Sequence, residues 1–406
     1  RHPGGRRGTP PGQPPRRRRS VRYTMTTEII IVNWNNRAET LECLAAVESQ
    51  LAAGASITVV DNGSTDGSAT AITSKHPKVK LFALKENRGF TGGLAAALAG
   101  STATNVIFLN NDAVPDPGWL AALVDAIDRA PDDVISIGGK IVDPSGTKID
   151  FIGGMLTFDG HAFQNGFRYP VGSRAEPASG DEILFACGGN MIARRAALVD
   201  LGAFDDDFFA YLEDVDFGWR AWICGYRALF EPRAVVRHAS STTSNRLGDF
   251  ERGVLFERNA LQTAFKNYEN LGESASAVLF AYLHRLHHYA TTRNPQAHEL
   301  TRTFGAPPKK KRGWLRRPLA AIDDPLTAMQ FRALDWIFQN DARLAKKRHD
   351  VQRRRRRSDR EIFERFPLHF VPTYPGDDAM MQSALFRLLR PALPSEEKNL
   401  GDIIAP

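Results

Sequence analysis

The feature that most constrains this chain is a regular alternation between residues 28 and 130. EIIIVNW (28–34), SITVVDN (56–62), KVKLFAL (78–84) and TNVIFLNND (104–112) are short apolar, β-branched runs. Between and after them lie helical stretches: RAETLECLAAVESQL (37–51), FTGGLAAALAG (90–100) and PGWLAALVDAIDRA (117–130). Strands that are apolar throughout and alternate with helices predict a parallel sheet covered on both faces, an α/β fold. In such sheets a ligand binds beyond the carboxyl ends of the strands. All four strand ends carry an amide or an acid: Asn33, Asp61, Asn87 just past the third, and Asn110 to Asp112. One such ending is ordinary turn chemistry, whereas four together mark a cleft.

Beyond residue 130 the alternation loosens. Strands are predicted at 134–138, 183–187 and in two pieces over 227–238. Helices are predicted at 194–201, from Glu213 to Gly225, and through 250–290. After PPKKKRG the composition changes, and 325–365 reads as basic helix ending in RRRRR (353–357). The expected organisation is a basic segment outside the fold at 1–26, a main domain at 27–304, and a basic, mainly helical C-terminal extension at 305–406. The main domain divides into 27–112, 113–245 and helices over 246–304.

Charge follows the same division. Residues 1–24 hold eight Arg and no acid, so without them the formal charge falls from +7 to −1. With the basic stretch 309–365 also set aside, the body is net negative. A nucleic-acid binder carries its basic face on the folded domain, so that partner is not expected. Three scattered cysteines, Cys43, Cys187 and Cys224, predict a reducing compartment, here the cytoplasm, and no disulfide framework. The most apolar candidate, ASAVLFAYLHRLHHYA (275–290), is broken by three His and one Arg, so no membrane span is predicted. The N-terminus has no apolar core of a secretory signal.

Three motifs carry chemistry. In VVDNGSTDGS (59–68), Asp61 ends a strand before a Gly/Ser turn. It reads either as an Asx-turn leading to a helix capped by Thr65 or Asp66, or as an acceptor for a pyrimidine N–H or a ribose hydroxyl. Phosphate-loop spacings are absent. In NRGFTGGLAAAL (87–98), Gly89, Gly92 and Gly93 open a helix at a cost of about 1 kcal/mol per interior glycine. Close ligand approach and tight packing on the sheet explain that equally well. In FLNNDAVPDPGWL (108–120), Asp112 supplies one hard oxygen of the kind that binds a phosphate-bound divalent cation, or else it caps the next helix.

The fourth motif is FFAYLEDVDFGWRAW (208–222), with Glu213, Asp214 and Asp216 inside a wall of aromatics. The order VVDNGSTDGS, NRGFTGG, NND, ACGGNMIARR (186–195), EDVDFGWR and a downstream His resembles the family 2 glycosyltransferases, bacterial rhamnosyl- and galactofuranosyl-type enzymes above all. The resemblance covers roughly 27–270. It implies a GT-A fold, a Rossmann-like, mostly parallel sheet flanked by helices. It also implies an inverting, metal-dependent transfer of sugar from a UDP- or dTDP-sugar to a glycan or polyprenyl-linked acceptor, in bacterial envelope polysaccharide synthesis. Asp61 then matches the acid that holds the base. Asn33, Asn87, Arg88, Gly89, Gly92, Asn110 and Asn111 line the nucleotide. Asp112 is the retained acid of the family's DxD motif, whose first position is Asn110 here. His238 is the second metal ligand, and an imidazole there favours Mn²⁺ over Mg²⁺. Asp214 matches the catalytic base, with Glu213, Asp216 and Trp219 toward the acceptor and Asp216 also placed to tie Arg220, four residues on. Phe208, Phe209 and Tyr211 form either a sugar-stacking wall or core.

Two other readings remain at this point, a sugar-nucleotidyltransferase and an adaptor acting through its basic arms. The first should show a Gly-rich, Arg/Lys-bearing turn after the first strand, and NWNNRAE lacks it. The basic runs KKKRGWLRR and RRRRR read as solvated helix faces or as peripheral contacts with anionic lipid on the inner face of the membrane.

Overall fold

The four opening runs form strands β1 (Thr27–Asn33), β2 (Ala55–Asp61), β3 (Lys80–Ala83) and β4 (Asn105–Asn110) in a computed structural model that describes residues 26–239, 249–291 and 325–405. Helices α1 (Arg37–Glu48), α2 (Ser68–Lys75) and α3 (Gly89–Ala99) connect them. β1 lies between β2 and β4, parallel to both, and β3 extends β2 at the edge. Ile29, Ile30 and Ile31 are fully buried, as a strand covered on both faces requires. The register sets Asn33 opposite Asp61 and Val32 opposite Asn110. Three polar strand ends therefore meet at one edge of the sheet.

The second half is mixed rather than parallel. It comprises β5 (Ala113–Pro115), α4 (Trp119–Arg129), β6 (Val134–Val142), β7 (Ile149–Phe151), β8 (Gly154–Leu156), β9 (Ala162–Gln164), β10 (Glu182–Ile183), β11 (Asn190–Arg194), α5 (Arg195–Asp200), α6 (Glu213–Ile223) and β12 (Arg227–His238). β11 runs antiparallel between β4 and β6, while β12 lies parallel to β6, giving the order β10-β12-β6-β11-β4-β1-β2-β3. The strand expected at 183–187 is thus two residues long, and the longer one begins at Asn190. The two pieces expected over 227–238 are one strand with a bulge between Glu231 and Val235. Asn190 makes that bulge tolerable. Its buried amide donates to the carbonyls of Ala234 at 2.9 Å and Lys140 at 3.1 Å, and accepts from the Trp119 indole at 2.7 Å.

The helical stretch expected over 250–290 forms two helices, α7 (Asp249–Asn267) and α8 (Leu271–Thr291). Then follow α9 (Pro325–Gln339), α10 (Asp341–Gln352) and α11 (Asp359–Arg365). The C-terminal residues share the main core, which includes Val351, Ile362, Phe363 and Leu368. Phe363 sets its edge on Trp219 at 5.5 Å between ring centres, and Phe366 on Trp222 at 4.9 Å. Among the described residues no helix is long and apolar enough to cross a membrane.

Within the run 353–357, Arg353 and Arg356 are exposed, while Arg354, Arg355 and Arg357 turn onto the fold. Arg354 binds the Asp200 carboxylate at 2.5 Å, and Arg355 binds Asp359 at 3.0 Å and the Asn267 carbonyl at 2.5 Å. Arg357 donates to the carbonyls of Trp222 (3.2 Å), Gly225 (3.0 Å) and Tyr226 (2.6 Å) and stacks on the Trp222 ring. A cation on the open carbonyls of a helix C-terminus satisfies them and the dipole together. Arg357 thus fastens the far end of α6, the helix whose near end carries Glu213 and Asp214. Arg357→Ala should lower unfolding free energy by about 2 kcal/mol in denaturant titration, the scale of charged hydrogen bonds to half-buried carbonyls. An unchanged midpoint would show that the clamp is idle. The other basic run, 309–317, lies outside the described residues, as do residues 1–25.

Candidate active site

At the carboxyl edge of the sheet the strand ends, the Cys187–Gly189 turn, the 208–214 segment and the β9 hairpin enclose a cavity of about 390 Å³. Asn87, Gly89, Asn110, Asn111, Asp112, Glu213, Asp214 and His238 all line it. Eight predicted site residues separated by up to 151 positions are therefore brought to one place.

Six others are not in the wall. Asn33 is fully buried and acts as a hub, donating to Asp61 at 2.8 Å and Ser64 at 3.2 Å. Its oxygen accepts from Thr40 at 2.8 Å and Asn111 at 3.1 Å. With every polar atom partnered, Asn33 stands behind the cavity wall and not in it. Arg88 points to solvent, and Gly92 faces Arg88, where an added Cβ would come within 2.8 Å of the Arg88 Cβ. Asp216 and Trp219 are fully buried under α6, not on an acceptor wall. Asp216 binds Arg220 at 2.8 Å, as its i,i+4 spacing predicts, and also Lys266 at 3.0 Å. Trp219 packs edge-on against Tyr268 and Phe363. Phe208 likewise is core, whereas Phe209 and Tyr211 face the cavity. Asp61 stands just behind the wall, 3 % exposed, its carboxylate on Asn33 and the Ser64 amide.

The glycine question resolves toward packing. Gly93 lies against Val32, and Gly89, at φ +75°, lies against Phe209, whose carbonyl would sit 2.4 Å from an added Cβ. Asn62, unforeseen although it follows Asp61 directly, laces this turn: its amide donates to Asn87 and to the Gly89 carbonyl, both at 2.9 Å.

On the opposite wall β5 pairs with the end of β12, so His238 lies opposite Ala113 and its ring comes beside Asp112. Nε2 is 3.1 Å from Asp112 Oδ1, and Nδ1 is 2.8 Å from Asp150 Oδ2. Burial alone would push the imidazole pKa down, but the two carboxylates overcome it and hold the ring protonated, up to about 10. Asp150, in turn held by Gln164 at 2.9 Å, had no sequence signal, since only the antiparallel pairing of β7 with β6 delivers it. A carboxylate on Nδ1 that leaves Nε2 turned toward Asp112 is the arrangement that orients an imidazole metal ligand.

Asp214 and Glu213 open α6 after an unusual turn. Phe209, Tyr211 and Leu212 have φ of 63°, 73° and 61°, a left-handed conformation that costs a non-glycine residue about 1 kcal/mol or more. Asp214 Oδ2 accepts from the Gly188 amide at 3.1 Å and Oδ1 from the Val215 amide at 2.8 Å. Glu213 is 7 % exposed, and its Oε2 has no hydrogen-bond partner among the described residues. Burial first, and the neighbouring Asp214 charge second, push Glu213 up to about 8. Burial also raises Asp214, while its backbone donors pull the other way. Of the two, Asp214 is the one whose charged form has backbone donors, while Glu213 Oε2 has none.

The upward shift of Glu213 has a stability consequence. Between the ordinary glutamate range and about 8, the unfolded chain releases the Glu213 proton and the folded one retains it, so rising pH destabilises the fold. Glu213→Gln removes the penalty. The variant's stability advantage over wild type should widen from pH 5 to pH 8 in denaturant titrations; an equal gap at both would place Glu213 in an ordinary environment.

A model of glycosyl transferase family 2 matches residues 28–202. The N-acetylglucosaminyl-diphospho-decaprenol L-rhamnosyltransferase of Mycobacterium tuberculosis is 29% identical over 215 residues, 47% of this chain and 68% of that protein. The O-antigen biosynthesis protein RfbC of Myxococcus xanthus is 30% identical over 230 residues, 53% of this chain and 17% of that protein. Among solved structures, GalNAc-T7 with UDP, GalNAc and Mn²⁺ aligns at TM-score 0.49 and 15% identity, over 63% of this chain and 51% of that one. S. aureus TarS 1-349 aligns at TM-score 0.44 and 17% identity, over 81% and 89%. The chain carries a family 2 glycosyltransferase domain over residues 28–202, and it is a glycosyltransferase.

Proposed function

We propose that this chain is an inverting, metal-dependent glycosyltransferase that moves a rhamnose- or galactofuranose-like sugar from a dTDP- or UDP-sugar to a hydroxyl of a glycan or lipid-linked acceptor. The setting we propose is bacterial cell-envelope polysaccharide synthesis, in keeping with the names of the two curated relatives. One observation carries the reading: Asp112, His238 and Asp214 line the same cavity, and no Lys or Arg is among its described lining residues. A nucleotide diphosphate cannot enter a cavity holding carboxylates without a compensating cation. Asp112 would offer one hard oxygen for Mn²⁺ or Mg²⁺, and His238 one imidazole nitrogen once it gives up the proton that Asp112 and Asp150 hold on it, with donor phosphates and water to complete the shell. Bound there, the cation would supply Lewis-acid neutralisation of the departing diphosphate.

The chain's own residues do the rest. Asp214, ionised and fixed by two backbone amides, takes the proton of the acceptor hydroxyl. The acceptor oxygen bonds to the anomeric carbon from the face opposite the diphosphate, whose bond to that carbon breaks. Glu213, protonated, donates to an acceptor or sugar oxygen. Asn87, Asn111 and Gly89 border the nucleotide, with Asp61 behind them, and Phe209 and Tyr211 offer ring faces to sugar. We assign 27–112 to the donor half, 113–245 to the acceptor half, and the C-terminal extension to bracing α6. With Arg354, Arg355 and Arg357 engaged on the fold, we assign peripheral contact with anionic lipid on the cytoplasmic face chiefly to KKKRGWLRR (309–317), at about 1 kcal/mol per basic residue.

The test is a panel of UDP- and dTDP-sugars with Mn²⁺, scored by thermal shift and by nucleotide release. At least one should raise the melting temperature only when Mn²⁺ is present, and release nucleotide on turnover. A panel in which no sugar nucleotide does either contradicts the reading.

A further inference from the structure

The turn that presents the acceptor side of the cavity is held from outside. Phe209, Tyr211 and Leu212 are left-handed, and Leu212 leads straight into Glu213 and Asp214. A segment with three such residues in four positions does not keep that shape through its own chain. The fastening comes from α7. Asn259 is fully buried, and its Nδ2 donates to the carbonyls of Phe208 (3.0 Å), Ala210 (2.8 Å) and Tyr211 (2.8 Å). Its Oδ1 accepts from Gln262 at 2.8 Å and Arg258 at 3.1 Å, which fixes the amide with its N–H₂ toward the turn. Arg258 adds bonds to the carbonyls of Asp207 at 2.6 Å and Phe208 at 2.9 Å. On the other side the Phe209 carbonyl accepts from the Thr91 amide at 3.2 Å, and Gly89 packs against the same residue. The turn is therefore stretched between α7 and the donor-side loop that Asn62 and Asn87 lace.

We propose that Asn259 is a positioning residue: by bonding three carbonyls of the 208–211 turn it sets Asp214, Phe209 and Tyr211 against the donor side of the cavity. This rests on the glycosyltransferase site proposed above. Asn259 touches neither the cavity nor Asp214, so its effect runs through the backbone. Arg258 reaches only the carbonyls of Asp207 and Phe208, and the bonds to the Ala210 and Tyr211 carbonyls come from the asparagine, which is why it carries the assignment.

Asn259→Asp keeps the shape and removes the donor, placing an acceptor against three carbonyls. The full chain carrying it is compared with wild type by amide hydrogen exchange, by UDP or dTDP binding with Mn²⁺, and by turnover of the sugar nucleotide selected from the panel. Exchange should rise at least tenfold across 207–216 and stay within twofold in β1, β2 and β4. kcat should fall at least thirtyfold with nucleotide affinity within threefold. Gln262→Met, which removes only a donor orienting the amide, should shift both in the same direction by a smaller factor. It also supplies the test if Asn259→Asp does not fold. Unchanged exchange over 207–216, or exchange rising equally in the central strands, overturns the proposal. If wild type turns over no sugar nucleotide, the parent reading fails, and the exchange pattern still decides whether Asn259 holds the turn.

Discussion

Asp214→Asn is expected to lower sugar transfer by about 10³-fold, within the range that a positioned general base contributes, while nucleotide affinity stays within about threefold. The substitution retains shape and can still accept from one of the Val215 and Gly188 amides through its oxygen, while the other amide loses its acceptor. It removes the cavity carboxylate that two backbone amides hold in its charged form. Glu213 does not take over, because its unpartnered oxygen and burial keep it protonated. The loss should therefore fall on kcat. In wild type the acid limb of the pH–rate profile should lie above the ordinary aspartate range, since burial raises Asp214. Retained turnover in Asp214→Asn would move the base elsewhere, and a large loss of nucleotide affinity would move Asp214 into the donor site.

Asp112→Ala is expected to abolish the Mn²⁺-dependent part of nucleotide binding, a loss of about 100-fold or more in affinity measured by calorimetry with and without chelator. Asp112 supplies the hard oxygen, and its removal leaves His238 with Asp150 on Nδ1 and only the Asn110 amide beside Nε2 in place of a carboxylate. A soft, single-nitrogen site does not hold Mn²⁺ against water. Binding that responds equally to Mn²⁺ in wild type and variant would remove Asp112 from the metal site. Asn110 sharpens this test: with an amide at the first position of the motif, the chain has one carboxylate there to lose.

The sequence exposes the donor half well because strand periodicity and polar strand ends are local signals. β1, β2 and β4 appear where the apolar runs place them; Asn110, Asn111 and Asp112 reach the cavity from the end of β4 and Asn87 from the turn after β3. The acceptor half is less legible because its geometry depends on pairing across long separations. Asp150 becomes relevant only through β7 against β6, and Asn259 only through the packing of α7 on the 208–212 turn. Local rules also misplace side chains whose neighbours come from afar. Trp219 looks like a sugar platform beside the acids, yet Tyr268 and Phe363 enclose it. The arginine run at 353–357 looks like a solvated face until the carbonyls at the end of α6 are seen to need donors.

The measurement that bears most directly on the account is anomalous diffraction at the manganese edge from crystals grown with Mn²⁺ and the nucleotide that binds. One manganese peak should stand against Asp112 and His238, between the nucleotide phosphates and the wall, with Asp214 across the same cavity. Nucleotide bound in that cavity with no manganese beside Asp112, or with Asp214 shut away from it, would contradict the central claim.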